Sequence, residues 1–184
     1  MMRPIFLIGY MGCGKTTLGE ALAREMGLRF IDMDDYIESQ QAVTIVELFR
    51  RVGEARFREI ETAALHEVAA MTDVIVSCGG GTPCHGGNMT LMNKAGITVW
   101  LTTCPERIAA RLLLPEQKAK RPKVAHLPDE EVLPLVEREL LQRIPYYSQS
   151  RLQFDSTDIE TAAATVRTAR RLATLLKRAL ITPE

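Results

Sequence analysis

The chain has 184 residues, with 23 Lys plus Arg against 23 Asp plus Glu, and 46% of its residues are apolar. That length fits a single domain with a sizeable core, so residues 1–184 are expected to fold as one unit. Balanced charge excludes the strong field of a nucleic-acid or membrane-surface binder; no apolar run is long enough to span a bilayer, and the N-terminal segment lacks a signal-peptide form.

The first predicted element is a strand, Pro4–Ile8, which runs into Gly9-Tyr10-Met11-Gly12-Cys13-Gly14-Lys15-Thr16-Thr17. An apolar strand, then GxxxxGK[ST], then a helix over Lys15–Met26 is a P-loop. Such a turn aims several backbone N–H groups into one concavity at a helix N-terminus, where the helix dipole adds positive charge. Lys15 supplies a full charge for β- and γ-phosphates, and Thr16 a hydroxyl for Mg²⁺.

A second strand, Arg29–Ile31, leads to Asp32-Met33-Asp34 and a helix over Asp34–Gln40. Spacing of two along extended chain aims both carboxylates one way, toward the crevice at the carboxyl edge of a parallel sheet. One would sit beside the metal's hydration shell, and the other would take or orient a hydroxyl proton. A pair of turn or N-cap aspartates is the plainer alternative. Helices follow over Thr44–Val52 and Glu54–Met71, the first opened by the capping-box spacing of Thr44 and Glu47. Arg58 and Glu61, three apart on the second, read as a surface ion pair.

Strand Val74–Ser77 ends in Ser77-Cys78-Gly79-Gly80-Gly81-Thr82. Three glycines let backbone approach a small ligand closely, although a flexible turn has the same composition. Because the strand ends in serine rather than an acid, Asp32 is the better metal-side carboxylate. Helix Asn88–Lys94, strand Thr98–Leu101 and helix Pro105–Leu114 follow. Pro115 to Pro128 (PEQKAKRPKVAHLP) is polar, basic and long for a connection, and reads as a loop that closes over nucleotide, a lid at about residues 112–126. The last elements are helix Asp129–Tyr147, which carries Arg143, strand Leu152–Phe154 and helix Ile159–Ala179. An apolar stripe of Ile159, Ala163, Val166, Ala169, Leu172, Leu176 and Leu180 is expected to pack that last helix on the sheet. Strands alternating with helices imply βαβ crossovers and a buried parallel sheet.

Cysteines 13, 78, 84 and 104 include no CxxC pair, and His66, His85 and His126 are scattered. A disulfide framework and a His/Cys metal site are therefore not expected, and a reducing, cytoplasmic setting is.

The ordered set of motifs closely resembles the shikimate kinase family. The matching segments are GxxGxGKT from Gly9 to Thr16, F-x-D-x-D at Phe30, Asp32 and Asp34, and GExxFRxxE at Gly53, Glu54, Phe57, Arg58 and Glu61. The glycine turn Gly79 to Gly81, the lid pair Arg121-Pro122, and R-x-P-x-Y at Arg143, Pro145 and Tyr147 complete it. The resemblance implies a three-layer α/β P-loop fold, with a five-stranded parallel sheet between helices. It implies transfer of the γ-phosphoryl of ATP to the 3-hydroxyl of shikimate, on the path to chorismate and the aromatic amino acids. It further implies that Gly12, Cys13, Gly14, Lys15, Thr16 and Thr17 cradle ATP, with Arg111 on the adenine side. Thr16 and Asp32 would attend Mg²⁺. Asp34, Arg58, Gly79, Gly80, Gly81 and Arg143 would hold shikimate, and Lys15, Asp34 and Arg121 would act in catalysis. A monomer is expected, with ATP and shikimate as its partners.

The lid departs from the family's R-P-L-L by reading Arg121-Pro122-Lys123-Val124, so Lys118, Lys120 or Lys123 could share the work of Arg121. A kinase for another hydroxy acid such as gluconate, a nucleoside monophosphate kinase and a non-catalytic nucleotide switch stay open as alternatives.

Overall fold

A computed structural model of the protein describes residues 1–119 and 121–181. Lys120 and the last three residues lie outside the described residues. Five strands form one parallel sheet: β1 (Ile5–Ile8), β2 (Arg29–Asp32), β3 (Val74–Ser77), β4 (Ile97–Thr102) and β5 (Leu152–Asp155), in the order β2-β3-β1-β4-β5. β1 lies centrally and is wholly buried, as an apolar run covered on both faces must be. Its side chains alternate between two cores: Phe6 and Ile8 join one, Ile5 and Leu7 the other. The order changes direction at β1, so the loop after it opens at the topological switch point.

The helices are α1 (Lys15–Met26), α2 (Met33–Gln41), α3 (Ile45–Ala69), α4 (Asn88–Ala95), α5 (Pro105–Leu112), α6 (Pro115–Ala119), α7 (Pro122–Ala125), α8 (Asp129–Tyr147) and α9 (Ala162–Ile181). α1 and α9 cover one face of the sheet, while α2, α3, α4, α5 and α8 contribute to the core on the other. Gly53 adopts φ 74° and ψ 173° inside α3, so the helical path breaks where the sequence suggests two helices. The lid expected as a loop instead contains α6 and α7. Helices of five and four residues are too short to show periodicity in sequence, although both begin with proline, which suits a first helical position.

The stripe expected on the last helix is corrected. Val166 and Leu180 are exposed, and Ala163 also faces out. The buried face instead runs through Ala164, Thr165, Thr168, Ala169, Leu172, Ala173 and Leu176. Thr165 and Thr168 can enter the core because their hydroxyls donate to the carbonyls of Ile159 and Asp158, at 3.1 and 2.7 Å. Ile159 is buried, but precedes the helix. No described helix is long and apolar enough to cross a membrane.

Candidate active site

The carboxyl ends of β1, β2 and β3 open into a cleft of about 490 Å³. Gly12 and Gly14 both take positive φ, which lets the loop after β1 fold tightly before α1. No side chain caps α1, so its first N–H groups are left for a ligand, and these attract anions. Lys15 Nζ donates to the carbonyls of Gly9 and Tyr10, each at 2.9 Å, which fixes its ammonium against the loop. Gly12, Gly14, Lys15, Thr16 and Thr17 all line the cleft. Cys13 does not: its side chain is buried and faces an apolar pocket shared with Trp100 and Ile108, so only its main chain is available to a nucleotide.

Asp32 performs two tasks at once. Its Oδ1 accepts from the N–H of Asp34 at 3.0 Å and so caps α2, while its Oδ2 accepts from the Thr16 hydroxyl at 2.9 Å. Capping and closeness to the P-loop are therefore not alternatives here. Among the described residues no group of three His, Cys, Asp or Glu could cage a metal. One hydroxyl and one carboxylate, completed by phosphate and water oxygens, suit Mg²⁺, which seldom takes an all-protein cage.

Asp34 faces the same cleft and keeps one solvent-accessible side. Partial removal from water, with the negative charges of Asp32 and Glu61 adding and Lys15 opposing, raises its carboxyl to about 6. Around the glycine turn the charged side chains come so close that any Cβ would push them from their places. A Cβ on Gly79 would lie 2.9 Å from Glu61 Oε1 and 3.5 Å from Asp34 Oδ1. One on Gly80 would lie 3.1 Å from Arg143 Nη1, and one on Gly81 2.8 Å from Arg58 Nη2. The turn is thus the point on which Asp34, Arg58 and Arg143 converge, rather than a flexible connection.

Arg58 and Glu61 are not the surface pair their spacing suggests. Glu61 is 2% exposed; one oxygen accepts from Arg58 Nη1 at 2.9 Å, the other from the Thr82 hydroxyl at 2.6 Å. Thr82 is itself tied through its carbonyl to Asn88, at 2.9 Å. The rings of Phe49 and Phe57, 4.8 Å apart, pack together against the Arg58 guanidinium, 5.9 and 5.2 Å from it. Arg58 Nε is buried without a hydrogen-bond partner in the protein. Arg143 stacks 4.9 Å above the Tyr10 ring, and Tyr147 donates to the Gly80 carbonyl at 2.6 Å, fixing the turn from the other side.

Beside the P-loop, Arg111 donates to the carbonyls of Gly12 and Thr157 at 3.0 and 2.9 Å and pairs with Glu160. It therefore joins the phosphate loop to the segment before α9. Arg121 reaches the cleft from the lid, held by Gln117 at 3.3 Å. Its Nε is also buried and unpartnered, and burial lowers its affinity for its proton. A bound anion would relieve both penalties. Lys118 and Lys123 are engaged elsewhere, Lys118 with the Leu127 carbonyl and Asp129, Lys123 with Glu139. Lys120 lies outside the described residues.

The shikimate kinase family model matches residues 11–174. The chain belongs to the shikimate kinase family. A shikimate kinase from Phocaeicola vulgatus is 48% identical over 159 residues, covering 86% of this chain and 90% of the relative. The crystal structure of shikimate kinase from Bacteroides thetaiotaomicron superposes with a TM-score of 0.92 at 42% identity, over 96% of this chain and 99% of the other. Shikimate kinase from Acinetobacter baumannii, solved in complex with shikimate, gives 0.81 at 30% identity, over 99% and 97% of the two chains. A gluconokinase from Sinorhizobium meliloti shares the fold alone, at 19% identity and a TM-score of 0.54.

In this shikimate kinase family member, then, the P-loop, Asp32, Asp34, Gly79, Gly80, Arg111 and Arg121 line one cleft. Arg58, Gly81 and Arg143 adjoin it through the glycine turn. Sequence reasoning missed Glu139, whose carboxylate accepts from Tyr10, Lys123 and Arg143. Its four-residue spacing from Arg143 is the only signal the sequence carried, and surface helices produce that spacing routinely.

Proposed function

We propose that this chain transfers the γ-phosphoryl of ATP to the 3-hydroxyl of shikimate, giving shikimate 3-phosphate and ADP. The observation that carries the proposal is the convergence of Asp34, Arg58 and Arg143 on Gly79–Gly81, beside a P-loop. Two guanidinium groups suit a carboxylate, which they grip bidentately, and a carboxylate beside them suits hydroxyls. A ring acid with several hydroxyls meets both demands at once.

Phosphoryl transfer needs positioning and positive charge more than covalent help. The amides of Gly12 to Thr17 would cradle the phosphates while Lys15 neutralises charge on the γ-oxygens. Thr16 would hold Mg²⁺ and Asp32 its water shell; the ion supplies further charge neutralisation when bound. Arg58 and Arg143 would fix the acceptor through its carboxylate, with its hydroxyl aligned toward the γ-phosphorus. Asp34, with a pKa raised to about 6, is ionised at neutral pH yet basic enough to accept or orient the hydroxyl proton. Arg121 would bring its charge to the transferring group from the lid.

The test is a panel of acceptors in an ADP-release assay, with the product identified by ³¹P NMR. Shikimate should be phosphorylated on the 3-hydroxyl, and gluconate and nucleoside monophosphates should not compete. ADP release with gluconate alone, or with no acceptor in the panel, overturns the reading. Arg143→Ala should raise the KM for shikimate at least tenfold and leave that for ATP within about twofold. The opposite split would exchange the two ends of the site.

A further inference from the structure

Glu139 sits on α8 with only 12% of its side chain exposed, and its carboxylate ties together three segments, α8, the phosphate loop and the lid. Its Oε2 accepts from Arg143 Nη2, on the same helix, and from the Tyr10 hydroxyl at 3.1 Å, in the phosphate loop. Its Oε1 accepts from Lys123 Nζ at 3.0 Å, in the lid. Burial works to raise its carboxyl, but the hydrogen bond from Lys123 and the charge of Arg143 prevail and hold it below the usual range. These neighbours favour the ionised carboxylate.

An ionised carboxylate beside an arginine assigned to an anionic substrate poses an electrostatic problem. Arg143 and Glu139 together carry no net charge, so the pair alone offers a second carboxylate little attraction. Lys123 restores a net positive charge, and only while the lid lies against α8. Glu139 also engages one edge of the guanidinium, leaving Nη1 directed to Gly80, where a Cβ would come within 3.1 Å.

We propose that Glu139 is a positioning residue that couples the lid to acceptor binding: docking of Lys123 on Glu139 switches the Arg143 site from neutral to cationic and so promotes binding of the acceptor carboxylate. Lys123 does this without touching the acceptor. The proposal rests on the reading of Arg143 as a carboxylate-binding residue, but its mechanical half, the latch itself, does not.

Two measurements separate these parts. In ligand-free protein, hydrogen exchange of the amides at 121, 124, 125 and 127, which donate to the lid's own carbonyls, should accelerate in both Lys123→Met and Glu139→Gln, and no further in the double variant. Unchanged exchange in either single variant removes the latch, whatever the substrate. In steady-state kinetics, Lys123→Met should raise the acceptor KM about threefold, the scale of a partly exposed ion pair, and leave the ATP KM unmoved. Lys123→Arg should restore the wild-type value. In the Glu139→Gln background the same Lys123→Met change should have no effect, because no carboxylate is left to neutralise. Equal effects in both backgrounds, or a shift confined to ATP, overturn the coupling. Failure of the wild-type chain to phosphorylate shikimate would instead refute the proposed function, with the exchange experiment still deciding the latch.

Discussion

Asp34 concentrates the conflict between stability and chemistry in this site. Its carboxyl is raised from 3.8 to about 6 because the cleft takes part of its hydration away and because Asp32 and Glu61 are negative neighbours. A carboxyl with a raised folded-state pKa favours the fold when protonated, so that contribution is complete below 3.8 and is lost as pH rises through about 6. At neutral pH the ionised group therefore works against the fold. Asp34→Asn should be more stable than wild type at pH 7, on the order of 1 kcal/mol after discounting for solvent access, while its turnover falls by about a hundred- to thousandfold. Denaturant melts at pH 4 and pH 7 check the first part; the stabilisation should shrink at the lower pH. In wild type, kcat/KM should fall on the acid side with a pKa near 6. Near-normal turnover in Asp34→Asn would remove this residue from any essential role.

The glycine turn and the helix that faces it show what sequence can and cannot convey about an element. Phosphate-loop geometry was legible because glycine spacing, a lysine and a flanking strand and helix are all local. The break at Gly53 was legible for the same reason. The role of Glu61 was not, because its burial depends on Thr82, twenty-one residues later. A charged pair at helical spacing looks alike in sequence whether it meets water or a neighbouring turn. Glu139 was hidden likewise, since its partners Tyr10 and Lys123 come from distant segments. The buried threonines of α9 follow the same rule: hydroxyls enter a core when carbonyls outside the helix accept from them. The Glu61 assignment is testable. Glu61→Ala should cost about 2–3 kcal/mol by chemical denaturation, less than a fully enclosed pair because Arg58 keeps an edge toward solvent. It should also raise the KM for shikimate by releasing Arg58. A loss of stability with unchanged KM would make Glu61 a core residue only.

At the scale of the whole molecule, the cleft is assembled from parts that only the folded chain brings together. Arg111 joins α5 to the phosphate loop and to the segment before α9. A nucleotide bound there binds the native state and not the unfolded chain, so it must raise stability by mass action. At a hundred times its Kd, ADP should add about 2.7 kcal/mol. For a chain of this size that corresponds to a rise in melting temperature of about 5–10 °C. Lys15→Ala should lose most of that shift, since the ammonium is the fixed charge nearest the loop carbonyls and its removal weakens phosphate binding without opening a core cavity. Arg111→Ala should behave differently. Lys15 bonds only carbonyls of its own loop, whereas Arg111 ties separate segments together before nucleotide arrives, so in Arg111→Ala the ligand-free melting point should fall by more, as well as the ADP-induced rise. A scanning-fluorimetry series of both variants with increasing ADP separates the two roles. If Lys15→Ala keeps the full shift, the phosphates do not lie over the P-loop, and the architecture of the site would have to be redrawn from the lid inward.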